Sequence, residues 1–482
     1  MPNVGTEFRA AVRAVDADRV RGLLAANPEL HDSLNDSVFD FGATALVYAS
    51  SSQDKDLMEV LIEAGADVDA RSDWDAGPFS ALHHQIGGQA QPKPELAQYL
   101  IGKGATIDLH SAAGLGRTDL LATYLEADPT RINEPGPDGT TPLHLALNIE
   151  TAQWLLDHGA PLEQRCIDHG STPAMWAIAE RTDVMRFLVE SGATPDLFMA
   201  AVLNDTDLAA SILDAGPPSI RSTTREGRFA HPPDGGDGYI WKLDFTETPH
   251  EVARLRGNEE VYGYLMDRSP SDIRIVQLAR EGDLVELRGA LEVEPGIIAL
   301  MPAQLHWHLM CQKPEVVEIA LAFGADPNVR NRDGVTPLHQ AAWQGELDKV
   351  RFLATHGSDP AIRDTNHAST PLGWAMHNAQ QEVVEYLAEH TELDLIDAIV
   401  LGRSDSAIVL LGRDPDLAHG TPGATPLRAA AYMGDLEVVR RLLELGVDSS
   451  SRNPETGHTA LDMARAQGHD AVVAALESVD GA

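Results

Sequence analysis

The chain has only two cysteines, Cys166 and Cys311, in 482 residues, and no CxxC pair. That excludes a disulfide framework and a thiolate zinc ribbon, and it predicts a reducing compartment, the cytoplasm. Aromatic residues make up only 5% of the chain. No apolar run approaches the ~20 residues that span a bilayer. The N-terminus MPNVGTEFRAAVRAVDA carries charges early and no apolar stretch, so no secretory signal is expected. HExxH, GxSxG, a Walker loop and a GxGxxG turn are all missing, so no cofactor, metal or enzymatic activity is expected. A site assembled from distant segments would leave no such mark.

Positive charge is also scarce. The formal net charge is −38, with 36 basic residues against 74 acidic ones. Such a surface repels nucleic-acid phosphates and anionic lipid and suits basic partners. Six lysines stand against thirty arginines, a skew that fits a GC-rich genome or a salty habitat. Hydrophobic residues reach 43%, enough for a large core, so global disorder is excluded.

What the sequence does have is repetition. Thr141-Pro142-Leu143-His144 recurs as Thr336-Pro337-Leu338-His339, with weaker copies beginning at Thr44, Ser80, Thr172, Thr248, Thr370, Thr425 and Thr459. Clean spacings are 31 residues (Thr141 to Thr172), 34 (Thr336 to Thr370) and 34 (Thr425 to Thr459). From Thr336 the text reads TPLHQAAWQGELDKVRFLATHGSDPAIRDTN: an apolar stretch to a Gly, a second with helical spacing to another Gly, then an Asp/Asn-rich turn. This predicts helix, turn, helix, finger loop. Thr336 is placed to cap the first helix, and Pro337 falls where its missing N–H costs nothing. Gly345 and Gly357 sit at helix ends.

TPLHQAAWQG, AFGADPNVRNRDG and EAGADVDARSD resemble the ankyrin-repeat family, of the bacterial multi-repeat type, from about Phe8 to Leu476. The resemblance implies an all-α solenoid of about fifteen helix pairs with finger loops, and protein–protein interaction as the usual role. A second repeat type lacks Thr-Pro and ends in an acidic-Pro turn, as at 8–30, 109–132, 275–298 and 395–417. The stretch 109–159 aligns with 395–446, which predicts two super-units, about 1–268 and 269–482, the second ending in a cap at 459–476. One long insertion, 217–247, breaks the period. Its Tyr239–Phe245 stretch alternates like a strand, and it reads as a hairpin finger that either binds or forms a packing flap. His231, Asp234 and Asp237 in it match no calcium loop.

The resemblance assigns His144 and His339, with His84, His110 and His306 in similar positions, to hydrogen bonds between repeats. His306-Trp307-His308 sits on a helix, where residues two apart diverge, so it is no ligand pair. Trp176, Trp307 and Trp374 share one repeat position and read as core. The resemblance places the residues just before each turn Gly on a concave groove. Met310, Trp343 and His377 fall there, with Cys311, Gln344 and Asn378 alongside, and Tyr432 and Met433 two repeats on. A row of exposed Trp, Met, His and Tyr marks a recognition surface. In the first super-unit the same slots hold Leu115, Val202 and Leu203. The expected binding residues are therefore Met310, Trp343, Gln344, Trp374, His377, Asn378 and Tyr432, with Tyr239 and Trp241 from the insertion. The expected function is a non-enzymatic scaffold for a protein or peptide. The alternative is a small-molecule or catalytic site where the 239–245 finger meets the groove of the second super-unit, with His377 as its acid–base group.

Overall fold

Why these residues form helix pairs is clearest from Thr336 onward. The Thr336 side chain accepts the His339 N–H, and the Thr336 N–H is accepted in turn by His339 Nδ1. This reciprocal cap starts the helix Pro337–Gln344. Gly345, at φ 73°, ends it. Leu347–Thr355 then runs back, and both helices bury one face: Leu338, Ala341, Ala342, Val350 and Leu353 are all fully enclosed. The alanine pair keeps the first helix thin enough for its neighbours to approach.

The structure is a computed structural model, and it describes residues 4–87, 92–216, 220–221, 243, 248–420, 425–453 and 457–480. Within these the chain is all-α: fifteen helix pairs, eight before residue 269 and seven after, with short 3-10 turns and one isolated bridge, Arg71 to Ser80. No described helix is long and apolar enough to cross a membrane. Tyr239 and Trp241 lie outside the described residues, as does the expected hairpin finger 217–247 apart from Ile220, Arg221 and Leu243.

The chain divides into two compact units, Met1–Arg268 and Ser269–Ala482. Within each, first helices pack on first helices and second on second. In the second unit Pro337–Gln344 lies against Pro371–His377, and Leu347–Thr355 against Gln381–His390. Successive fingers are tied by polar side chains. Asn328 Oδ1 accepts the Asp359 N–H (2.7 Å), and its Nδ2 donates to Gly357 O (2.9 Å).

The first unit departs from the pattern. Three of its first helices are stunted: a 3-10 turn at His83–Gln85 and single turns at Pro142–Leu145 and Pro173–Trp176. At Ala146 the backbone leaves the helix (ψ 119°), which strands carbonyls that a longer helix would satisfy. Arg181, buried from the next repeat, donates to two of them, His144 O (2.9 Å) and Ala146 O (2.7 Å). Burial lowers its guanidinium to about 10, so it stays charged at neutral pH.

The histidines act as structural ties, with one reassignment. His144 accepts the Thr141 N–H and donates to Ser171 O (2.9 Å), and His339 donates to Ser369 O (3.0 Å). Burial holds both near 4, hence neutral. In the Ser80 copy the tie is His83, not His84. His83 Nδ1 accepts the Ser80 N–H, and its Nε2 meets Asp108 at 3.0 Å. The double histidine hides a register that counting from Ser80 resolves.

Trp176 and Trp374 do share a slot, but Trp307 does not. The helix Ala303–Met310 lacks the Thr-Pro start, and its register follows from its buried pair: Leu309 and Met310 take the places of Ala341 and Ala342. Trp307 therefore fills the histidine slot.

Candidate functional site

That same register corrects one expected binding residue. Met310 is fully buried in the core of the second unit, so it cannot line a groove. Cys311, one residue later and half-buried, occupies the slot equivalent to Trp343. Backbone bonding shows the equivalence. Lys349 Nζ caps Cys311 O, Asn378 Nδ2 (2.7 Å) and Gln380 Nε2 (3.2 Å) cap Trp343 O, and His469 Nε2 caps Tyr432 O (2.9 Å). In these three repeats a carbonyl at the end of the first helix is satisfied from the next repeat. The ring just beside that carbonyl is left facing out.

The structure brings Trp343, Trp374 and His377 together. Trp343 and Trp374 meet edge to face, with centroids 5.6 Å apart and planes at 72°. His377 stacks on Trp343 at 5.7 Å and 21°. Trp374 is held by two contacts: its Nε1 donates to Asp364 Oδ2 (2.5 Å), and its ring meets His339 edge to face at 5.6 Å. These rings and His367, Ser369 and Gly373 line a cleft of about 410 Å³. Trp343 and Trp374 are half-buried, while His377, His367 and Asn378 are exposed. Gln344 is exposed beside the cleft, and Tyr432, 52% exposed, stands two repeats on without lining it.

Among the described residues, no ionisable acid or base other than histidine lines this cleft. Asp364, bonded to two of the lining residues, is buried and spends its oxygens on the Trp374 indole and the His367 N–H (2.6 Å). On a chain of net charge −38 the cleft is a ring-walled patch with imidazole and hydroxyl groups and no carboxylate among its described lining residues. This chemistry suits an apolar or aromatic anchor with hydrogen bonds at the edges.

His367, Ser369 and Gly373 were not among the expected site residues. The signal is register. Counting back from Thr370 as from Thr336 puts His367 at the finger tip that Asp333 occupies in the preceding repeat. Ala368 then stands where Gly334 does, and both have positive φ (50° and 73°).

The inner face of the first unit is built differently. Leu115 and Leu203 are half-buried and Val202 is buried. Trp176, in the slot of Trp374, is 1% exposed and donates to Gly87 O (3.3 Å), a bond that skips two whole repeats. Ile86 packs so closely on Gly114 that an added Cβ there would lie 2.7 Å from it.

Asp138, Asp168 and His169 place three possible ligand atoms within 4.8 Å of one another. His169 pairs with Asp168 (3.2 Å), and Asp138 accepts the Trp74 indole N–H (3.1 Å). The Ile167 and Asp168 N–H groups both donate to Asp138 O (3.1 Å each), which reads as fingers locked to one another.

The helix-pair pattern is matched by known families. The model described as ankyrin repeats (3 copies) matches residues 109–199, 305–397 and 395–480, and a single ankyrin repeat matches 41–73. Among curated proteins, the chain is 28% identical to the E3 ubiquitin-protein ligase XBAT32 of Arabidopsis thaliana, over 40% of each chain. It is 27% identical to the E3 ubiquitin-protein ligase KEG of Arabidopsis thaliana, over 53% of this chain and 17% of that one. It is 32% identical to the ARF GTPase-activating protein GIT2 of Mus musculus, over 26% of this chain and 17% of that one. The matches thus span less than half the length of these relatives. With the repeat model covering more than half of its own length, the chain belongs to the ankyrin-repeat family.

Proposed function

We propose that the chain is a non-enzymatic scaffold that binds a protein or peptide along the inner face of its second unit. Ankyrin repeats imply a protein-interaction scaffold, and the observation that carries the assignment to this face is the cleft of Trp343, Trp374 and His377. Two indoles meeting edge to face offer a slot for one apolar or aromatic side chain. Gln344, Asn378, His367 and His377 offer hydrogen bonds around it. The net charge of −38 speeds encounter with a basic partner, while the ring-walled cleft supplies the grip. Nucleic acid and anionic membrane are disfavoured by the same charge, and the two cysteines support a cytoplasmic setting. The arginine excess supports a bacterial-type protein, although the relatives named above are from a plant and a mammal. The ligase and GTPase-activating roles in those relatives' names are not proposed for this chain.

The test is capture from the native host's lysate by immobilised full-length chain, read by mass spectrometry. Trp343→Ala with His377→Ala removes the slot while leaving the buried core intact. Capture of the dominant partner falls at least about tenfold, whereas the circular dichroism spectrum is retained and stability changes by no more than about 1–2 kcal/mol. Undiminished capture by the double variant would falsify the groove assignment.

A further inference from the structure

Nine copies of the repeat begin with Thr or Ser, and the third residue after it is the motif slot of His83, His144 and His339. The other copies also carry a side chain there, from Val47 to Asp462, with one exception: Gly373. That glycine sits in the helix Pro371–His377 and lines the cleft of the second unit.

The backbone does not ask for glycine at this point. Gly373 has no positive φ, unlike Gly345 and Gly434, so any residue could adopt its conformation. Inside a helix glycine is a cost, because it gives up more backbone freedom than any other residue. A glycine that neither the turn geometry nor the helix favours is explained by the space it leaves.

That space opens on the cleft. A Cβ at Gly373 would meet Ser369 Oγ, the far end of a side chain that can rotate away. The next atoms, Ser369 Cβ and Thr370 Oγ1, lie at 3.6 and 3.8 Å, which is ordinary contact. In the preceding repeat His339 fills the slot and donates to Ser369 O (3.0 Å), which ties that repeat to the next. The Thr370 copy makes its tie by another route. Asp397, from the following helix Leu395–Val400, reaches back and accepts the Thr370 hydroxyl at 3.0 Å. With the tie supplied from the other side, the slot beside Trp374 is released from its structural duty. In the first unit the same slot, beside Trp176, is filled by Met175, 4% exposed.

We propose that Gly373 is the specificity-determining residue of the cleft: its bare backbone admits the end of the partner's anchor side chain, which the motif imidazole would exclude. This role rests on the reading of the cleft as the binding site, and it adds the residue that sets how far an anchor can enter.

The probe is the dominant protein captured by the unmodified chain, purified and titrated calorimetrically against full-length variants. Ser369→Ala removes the oxygen that a new Cβ would meet, so it serves as background and reference. Adding Gly373→Ala weakens binding about threefold, and adding Gly373→His weakens it about tenfold or more, a fall that follows side-chain size. The melting temperature does not fall in either variant, since glycine leaves a helix and the new side chain enters open space. Affinity unchanged by Gly373→His overturns the proposal. So does a clear drop in melting temperature, which would mean that the slot was closed. If Trp343→Ala with His377→Ala abolishes binding and Gly373→His does not, the groove reading stands and Gly373 alone loses its role. If neither weakens the complex, both fall.

Discussion

The two units use one repeat pattern to make opposite inner faces. In the second unit the first helices are seven or eight residues long where the cleft forms, Pro337–Gln344 and Pro371–His377, and their last residues stand out from the stack. In the first unit three of them shrink to a turn, and the space is taken by the chain itself: Ile86 lies against Gly114, and Gly87 O accepts from Trp176. The slot occupied by Trp176 in one and Trp374 in the other marks the difference. One indole is sealed in with its N–H spent on a distant backbone carbonyl. The other is half open with its N–H spent on its own finger, at Asp364. The repeat sets where an indole stands, and the length of the first helices sets whether anything from outside can reach it.

The largest expected effect tests that slot directly. Trp176→Ala empties a fully buried site and costs the first unit about 3–5 kcal/mol, read as a lower urea midpoint for its transition. Trp374→Ala removes a half-exposed ring and costs the second unit about half as much or less, yet it abolishes partner capture. Equal losses of stability in the two variants would show that both indoles are structural and that the comparison is false.

Acid separates the units next. Burial lowers His84 to about 3 and His144 to about 4 in the first unit, and lowers His339 to about 4 in the second. Each is below the ordinary histidine value of about 6.5, so the unfolded chain takes up the proton first. The stability each contributes is complete above about pH 6.5 and drains away as pH falls toward 4, on the order of 3 kcal/mol per histidine. In the second unit burial also raises the Asp397 carboxyl, despite the Thr370 hydroxyl and Arg363. Lowering pH relieves that penalty and offsets part of the loss. Hydrogen exchange followed peptide by peptide from pH 7 to 4.5 should therefore show the first unit opening before the second. The reverse order would break the argument.

Much of this architecture is legible because its determinants are local. Thr336 and His339 are three residues apart and cap the same turn, so reading one predicts the other. Trp343 and His377 were legible as a pair because both precede a well-marked helix end. Where the local mark is weak, register slips. Ala303–Met310 begins without Thr-Pro, and one residue of misalignment moved the groove from Cys311 to Met310, which points into the core. The closure of the first unit was illegible for a different reason. Gly87 and Trp176 are 89 residues apart, and nothing near either one announces the bond. His367 needed only the finger register, but a histidine at the tip that Asp333 fills in the preceding repeat looks like any loop residue until its neighbours are placed.

The smallest effect concerns the residue just past the first helix. Ala379 closes the repeat at a position filled by Gly345, Gly434 and Gly468 elsewhere, and it holds φ 54°. Asn204 closes a repeat of the first unit at φ 51°. The backbone strain is alike, but the side chains differ in use. Asn204 Oδ1 accepts the Val261 N–H (3.1 Å), whereas the methyl of Ala379 brings nothing to set against the left-handed cost. Ala379→Gly should therefore stabilise the second unit by about 0.5–1 kcal/mol and leave partner capture unchanged, since the cleft rings do not move. Asn204→Gly should instead destabilise the first unit by about 0.5–1 kcal/mol, because an N–H loses its acceptor. Chemical denaturation of both variants reads the signs, and two shifts in the same direction would mean that backbone strain alone, and not the use made of the side chain, decides which residue can end a repeat.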